Sequence, residues 1–243
     1  MNLLRSLKRR FGVSKTAQAL EAEYPDIDEK GFRAALELCR PASMTSVERL
    51  YALYSAVRYV VAAGLPGAFV ECGVWKGGSV MMMARALLEL GVTDRDIHLF
   101  DTFAGMTAPT AEDVDIGGTS MQALAGRNSD LCLAPLDEVR ANLAKTGYPP
   151  ERFHFAQGDV LATLPARAPR RIALLRLDTD WYESTRHELE HLFPLLERRG
   201  VLLIDDYGHF QGARQAVDEY FARQKEKYFL HRVDYTARML IKD

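Results

Sequence analysis

The chain reads as an α/β protein built on a doubly wound, mostly parallel sheet with a C-terminal antiparallel edge hairpin. Three observations carry that expectation. Short apolar runs at 68–73, 97–101, 153–159, 172–178 and 201–205 alternate with segments of helical periodicity, the pattern of βαβ units. Runs such as Ile172-Ala173-Leu174-Leu175 are apolar at consecutive positions, as strands covered on both faces are. The runs close on Gly73, Asp101, Asp159, Asp178 and Asp205, so polar groups gather at strand C-termini, where open α/β sheets bind ligands.

Residues 1–40 are expected to form an N-terminal helical extension and 41–243 the main domain. The basic start at 1–12 lacks an apolar core and is no secretory signal; it reads as a loosely attached helix or a small amphipathic one. Helical periodicity covers 30–40 and 45–63, where Val47, Leu50, Tyr51, Tyr54, Val57 and Val60 recur at three and four. Thr45 or Ser46 supplies the N-cap, with Glu48 in the first turn. Pro66-Gly67 punctuates before the first strand, a helix follows to about Leu90, and 97–101 is the second strand.

The segment 104–134 contains Gly117-Gly118 and Gly126-Arg127-Asn128 and little periodicity. It is too long for an ordinary connection and reads as a lid or a disordered insert. A helix at 135–146 and the third strand at 153–159 follow. The fourth and fifth strands, 172–178 and 201–205, flank a helix at 181–197. A helix from Gly212 to about Lys225 and two short strands near 228–233 and 237–241 end the sequence.

Composition narrows the function. With 243 residues, 48% hydrophobic, 26% charged and a formal net charge of −2, the chain suits one large domain without a basic field for nucleic acid. No apolar stretch approaches the roughly 20 residues of a membrane span. Cys39, Cys72 and Cys132 form no metal or redox spacing, which favours a reducing cytoplasm.

The acids at the strand ends point to chemistry. Asp178, Asp180, Asp205 and Asp206 converge on one small volume, where like charges raise each other's pKa. A divalent cation resolves that conflict, and oxygen-only ligands suit magnesium. The alternative is helix caps and solvated loop acids, but caps rarely come doubled at two successive strand ends. Glu71-Cys72-Gly73-Val74-Trp75-Lys76-Gly77-Gly78-Ser79 joins the first strand to its helix without matching the dinucleotide fingerprint or the phosphate loop. An acid before the glycine suits a cationic or amine-bearing ligand. Asp101 stands where an acid grips ribose hydroxyls, and Gly158-Asp159 closes the third strand beside the same crevice. A ribose, an adenine amine and a positive methionine portion without phosphate are the features of S-adenosylmethionine.

Five segments, Met44–Leu53, Phe69–Gly78, Leu99–Met106, Leu177–Thr185 and Ile204–Gly208, resemble the macrocin O-methyltransferase family, whose members methylate sugar hydroxyls of macrolide and aminocoumarin antibiotics. The resemblance implies a Rossmann-like class I methyltransferase domain over 41–243 that uses S-adenosylmethionine and magnesium. It implies that Glu71, Gly73, Ser79, Asp101 and Asp159 line the cofactor site, with Thr45 near its methionine end. Asp178, Asp205 and Asp206 match metal positions, and Asp180 a base, although Asp178 and Asp180 could exchange roles. The residues alone leave Asp180 open between the proton-accepting base and a cap on the 181–197 helix, and Trp181 and Tyr182 between acceptor walls and core. The expected partner is a small-molecule glycoside, with a homo-oligomer left open. Other readings are a catechol-type methyltransferase, a metal-dependent hydrolase and a non-catalytic binding module.

His187-Glu188-Leu189-Glu190-His191 fits the zinc-protease pattern H-E-x-x-H. Helical geometry argues against it: Leu189, Leu192, Phe193 and Leu196 share the face that packs on the sheet, which places the histidines towards water. His209, just past the acid pair, is the better functional histidine.

Overall fold

The computed structural model describes residues 22–125 and 132–243, and in it each apolar run becomes a strand. β1 (Ala68–Cys72), β2 (Ile97–Asp101), β3 (Phe153–Gln157), β4 (Ile172–Leu177) and β5 (Leu196–Ile204) pair in parallel. β6 (His231–Arg232) and β7 (Arg238–Ile241) add antiparallel pairings at the β5 edge. The sheet order is β3-β2-β1-β4-β5-β7-β6, so the winding reverses between β1 and β4, where doubly wound sheets open a ligand crevice.

Helices cover both faces because successive strand residues point to opposite sides. On one face lie α1 (Lys30–Cys39), α2 (Val47–Ala62) and α3 (Gly78–Glu89), packed with Phe69, Leu99 and Leu174. Next in chain order come α4 (Met121–Ala125), α5 (Leu136–Ala144), whose Val139 and Leu143 join the first core, and α6 (Val160–Thr163), whose Val160 joins the second. On the second face α7 (Tyr182–Leu192) and α8 (Gln211–Ala222) bury Leu189, Leu192 and Val217 against Val70, Leu175 and Leu202. In α2 the expected row is buried at Val47, Leu50, Tyr54, Val57 and Val60 and half-buried at Tyr51, and Ser46 is the N-cap, its side chain accepting from Arg49 N at 3.2 Å. α1 buries Phe32, Ala35, Leu36 and Cys39, with the Phe32 ring edge-on to Tyr51 at 5.1 Å. Residues 30–42 therefore share the core of the main domain.

Most boundaries shift from expectation by one to a few residues, and the segment 181–197 shifts most. The helix expected over 181–197 stops at Leu192, because Pro194 offers no N–H to continue it; Phe193–Leu195 is a 3₁₀ turn and Leu196 already begins β5. The first closing strand shrinks from 228–233 to His231–Arg232. The start at 1–12 and Gly126-Arg127-Asn128 lie outside the described residues. No helix of the described residues is long and apolar enough to cross a membrane.

Ladder hydrogen bonds continue one step past the strands. Gly73 N donates to Phe100 O, Asp178 N to Cys72 O, Asp205 N to Leu177 O and Gly158 N to Asp101 O, each at 2.9 Å. This row of exits holds the functional side chains in register across the top of the sheet.

Candidate active site

All of the residues singled out in the sequence for cofactor, metal or base roles line one pocket above the switch point. On the β1–β2–β3 side are Thr45, Glu71, Gly73, Ser79, Asp101, Gly158 and Asp159; on the β4–β5 side are Asp178, Asp180, Asp205 and Asp206. Gly73 is required sterically: its φ is +79°, and a Cβ there would stand 1.9 Å from Asp178 O. Asp101 gathers the β1 exit, accepting from Val74 N at 2.6 Å, Trp75 N at 3.0 Å and Phe103 N at 2.7 Å. Asp159 caps α6 through Leu161 N at 2.9 Å. Ser79 is buried at the N-terminus of α3.

The electrostatics turn on two arginines that the sequence reading passed over. Arg176, buried in β4, ion-pairs Glu71, Asp178 (2.7 Å) and Asp205 (2.7 Å) and donates to Thr45 Oγ1 at 3.1 Å. Arg49 reaches from α2 to Asp205 and to Asp234 (3.1 Å). The crowding of acids is thus relieved in part by the chain itself. Burial would raise the Asp205 carboxyl, but Arg176 and Arg49 outweigh it and hold that pKa below the ordinary value. Burial pushes Glu71 up to about 7 despite Arg176. Burial also raises Asp180 to about 7, and it raises Asp206 further with the Asp180 charge adding to it. Asp178 rises too, first by burial and then by Asp205 and Asp206, against the pull of Arg176.

Among the described pocket-lining carboxylates, two buried oxygens lack a hydrogen-bond donor, Glu71 Oε2 and Asp206 Oδ2. Each fits a cationic partner: an ammonium or sulfonium-bearing ligand beside Glu71, a metal ion beside Asp206. Asp178, Asp205 and Asp206 each offer an oxygen within 4.8 Å of the others, close enough to share one ion.

Asp180 is not the helix cap. It has φ +69°, a conformation costly outside glycine, and it lies against Asp206. The cap of α7 comes from the segment 104–125: Asp113, fully buried, accepts from Tyr182 N at 2.8 Å and from Thr110 N and Oγ1 at 2.6 and 2.9 Å. Gly212 leaves the space, since a Cβ there would sit 2.7 Å from Asp113 Oδ1. Trp181 donates to Thr107 O at 3.1 Å and meets Phe210 edge-on at 5.4 Å, forming a pocket wall. Tyr182 turns away to Glu219 at 2.9 Å. His209 lines the pocket with its Nδ1 3.3 Å from Tyr235 Oη. His187 and His191 stand on α7 with rings 4.3 Å apart, half-buried rather than fully in water. Among the described residues no third ligand joins them.

The model of the family described as Macrocin-O-methyltransferase (TylF) matches residues 6–242. The chain belongs to the macrocin O-methyltransferase family. It is 36% identical over 181 residues, 74% of its length and 68% of the relative's, to 8-demethyl-8-(2,3-dimethoxy-alpha-L-rhamnosyl)-tetracenomycin-C 4'-O-methyltransferase of Streptomyces olivaceus. It is 34% identical over 181 residues, 74% of its length and 68% of the relative's, to demethyldecarbamoylnovobiocin O-methyltransferase of Streptomyces niveus. The solved O-methyltransferase NovP superposes with a TM-score of 0.74 at 30% identity, over 83% of this chain and 82% of that one. Family membership makes the protein an O-methyltransferase, and the fold is that of class I methyltransferases.

Proposed function

We propose that this enzyme moves a methyl group from S-adenosylmethionine to a sugar hydroxyl of a natural-product glycoside, with magnesium at the acid pair. The observation that carries this reading is the placement of Glu71, Asp101 and Asp159 in one crevice, directly beside Asp178, Asp180 and Asp206. Relatives named for methylation of tetracenomycin, novobiocin and mycinamicin glycosides or precursors support it.

S-adenosylmethionine supplies an electrophilic methyl on a positive sulfur. Glu71, whose free oxygen faces no donor, balances the positive methionine portion, Asp101 takes the ribose and Asp159 the adenine side. Asp178, Asp205 and Asp206 would hold a magnesium ion, which when bound would supply the Lewis acidity that lowers the proton affinity of the acceptor hydroxyl. Asp180 takes that proton; burial has set its carboxyl near neutrality, where a general base works best. The methyl passes from sulfur to oxygen, leaving S-adenosylhomocysteine and a methyl ether. Trp181, Phe210, Met106 and Met121 supply apolar walls that keep water from the sulfonium. Arg49 is the arginine among the described pocket-lining residues, and it is engaged by Asp205 and Asp234. An acid-rich pocket of this kind suits an uncharged glycoside over an anionic acceptor.

The test is calorimetric binding of S-adenosylhomocysteine followed by turnover with neutral glycosides and with catechols. Methyl ether formed on the glycoside supports the reading. Cofactor binding with turnover on catechols alone would move the enzyme to the catechol class.

A further inference from the structure

The H-E-x-x-H pattern on α7 has a residue that the zinc reading leaves unexplained. While His187 and His191 remain half-exposed, Glu188 is fully buried, in the inward row with Ser184, Leu189 and Leu192. Its Oε1 accepts from Thr179 Oγ1 at 3.0 Å, and the Cys72 thiol lies against the same carboxyl. Thr179 stands between Asp178 and Asp180, and Cys72 is the last residue of β1. Glu188 therefore sits where the exits of β1 and β4 meet, behind Thr179 and outside the pocket lining. One turn earlier, Ser184 Oγ donates to Trp181 O at 3.1 Å and bonds Thr179 O at 3.4 Å.

We propose that Glu188 is a positioning residue, which holds the 178–180 loop from behind so that Asp178 and Asp180 face the pocket in a fixed geometry. A buried carboxyl with one hydrogen-bonded oxygen is less stabilising than a leucine or methionine of similar volume would be on that apolar face. Oε2 has no donor, and burial pushes the group up to about 8, so it sits neutral at neutral pH and adds no further charge behind the acids. What it supplies is a directional bond to Thr179. That bond is needed because Asp180 occupies a left-handed backbone conformation, φ +69°, that the loop alone does not favour.

The inference rests on the methyltransferase reading for its kinetic arm only. Glu188→Met removes the bond at nearly constant volume, Thr179→Val removes it from the other end, and Glu188→Gln retains an acceptor oxygen. Glu188→Met and Thr179→Val should each lower kcat about tenfold, the size of one hydrogen bond. KM and the affinity for S-adenosylhomocysteine should change little. The double variant should be no slower than either single one, and Glu188→Gln should restore turnover. Independently of any acceptor, amide exchange at Trp181, whose N–H bonds Thr179 O at 2.8 Å, should quicken in Glu188→Met and not in Glu188→Gln. Wild-type exchange and kcat in Glu188→Met would overturn the proposal. So would a loss of kcat that comes with equal loss of cofactor affinity and is not rescued by glutamine, which would make Glu188 a packing residue.

Discussion

Arg176 divides one guanidinium among Glu71, Asp178 and Asp205 and, together with Arg49, sets how much negative charge the pocket presents. Arg176→Met should lower stability by about 3–5 kcal/mol, the cost of leaving buried partners unpaired. Denaturant unfolding at neutral pH measures it. Asp180→Asn should leave S-adenosylhomocysteine affinity intact and lower kcat at least about 100-fold if the carboxylate is the base. Asp101→Ala should weaken cofactor affinity by about 1.5–3 kcal/mol, the worth of a charge-assisted hydrogen bond, and the Val74, Trp75 and Phe103 amides lose their acceptor with it. At this scale the acids were readable in the sequence because each closes an apolar run. The arginines were not, although an arginine inside Leu174-Leu175-Arg176-Leu177 is itself a signal: a cation in a strand covered on both faces demands acids within reach.

At the scale of elements, the segment 104–125 is built onto the acid loops. Val114 bridges Ser120, Asp115 bridges Phe210, Ile116 N donates to His209 O at 2.8 Å, and Asp113 caps α7. Periodicity could not reveal this, because the segment finds partners in elements 69 to 96 positions distant rather than in its own repeat. Sequence reasoning gave a lid or an insert for the same reason. We propose that the segment acts as the lid in a latched form, with Asp113 as the latch. Asp113→Ala should cost about 1 kcal/mol as a lost cap. It should also raise the acceptor KM several-fold more than it changes cofactor affinity, as read from steady-state kinetics beside calorimetry. An unchanged acceptor KM would leave Asp113 as a cap alone. The helix boundary near 192 was equally open to reading, since Pro194 stands in the sequence; apolar positions continuing to Leu196 masked it.

At the scale of the whole molecule, the fold was legible because parallel strands announce themselves as apolar runs. The pairing of acids with Arg49 and Arg176 depends on tertiary proximity across 156 and 29 positions and was not. Gathering acids beneath apolar cover has a consequence for stability against pH. Glu188 has a folded pKa of about 8, raised from 4.5 by burial, so between those values the folded chain holds a proton that the unfolded chain has lost. Stability therefore falls as pH rises through that window. Glu71, raised to about 7, acts with the same sign. Melting measured in chelator from pH 5 to 8 should show this decline, and Glu188→Gln should flatten part of it. An identical slope in the variant would mean that Glu188 ionises as freely in the folded chain as in the unfolded one. The central claim is methyl transfer to a sugar hydroxyl at the acid-lined pocket, and product analysis tests it most directly. The enzyme is given S-adenosylmethionine labelled with carbon-13 at the methyl and a neutral deoxysugar glycoside, first with magnesium and then with chelator. A labelled methyl ether should appear on a sugar oxygen, formed in equal amount with S-adenosylhomocysteine, lost in chelator and restored by magnesium. Label on no sugar oxygen of any glycoside tested, or full turnover in chelator, would contradict the claim.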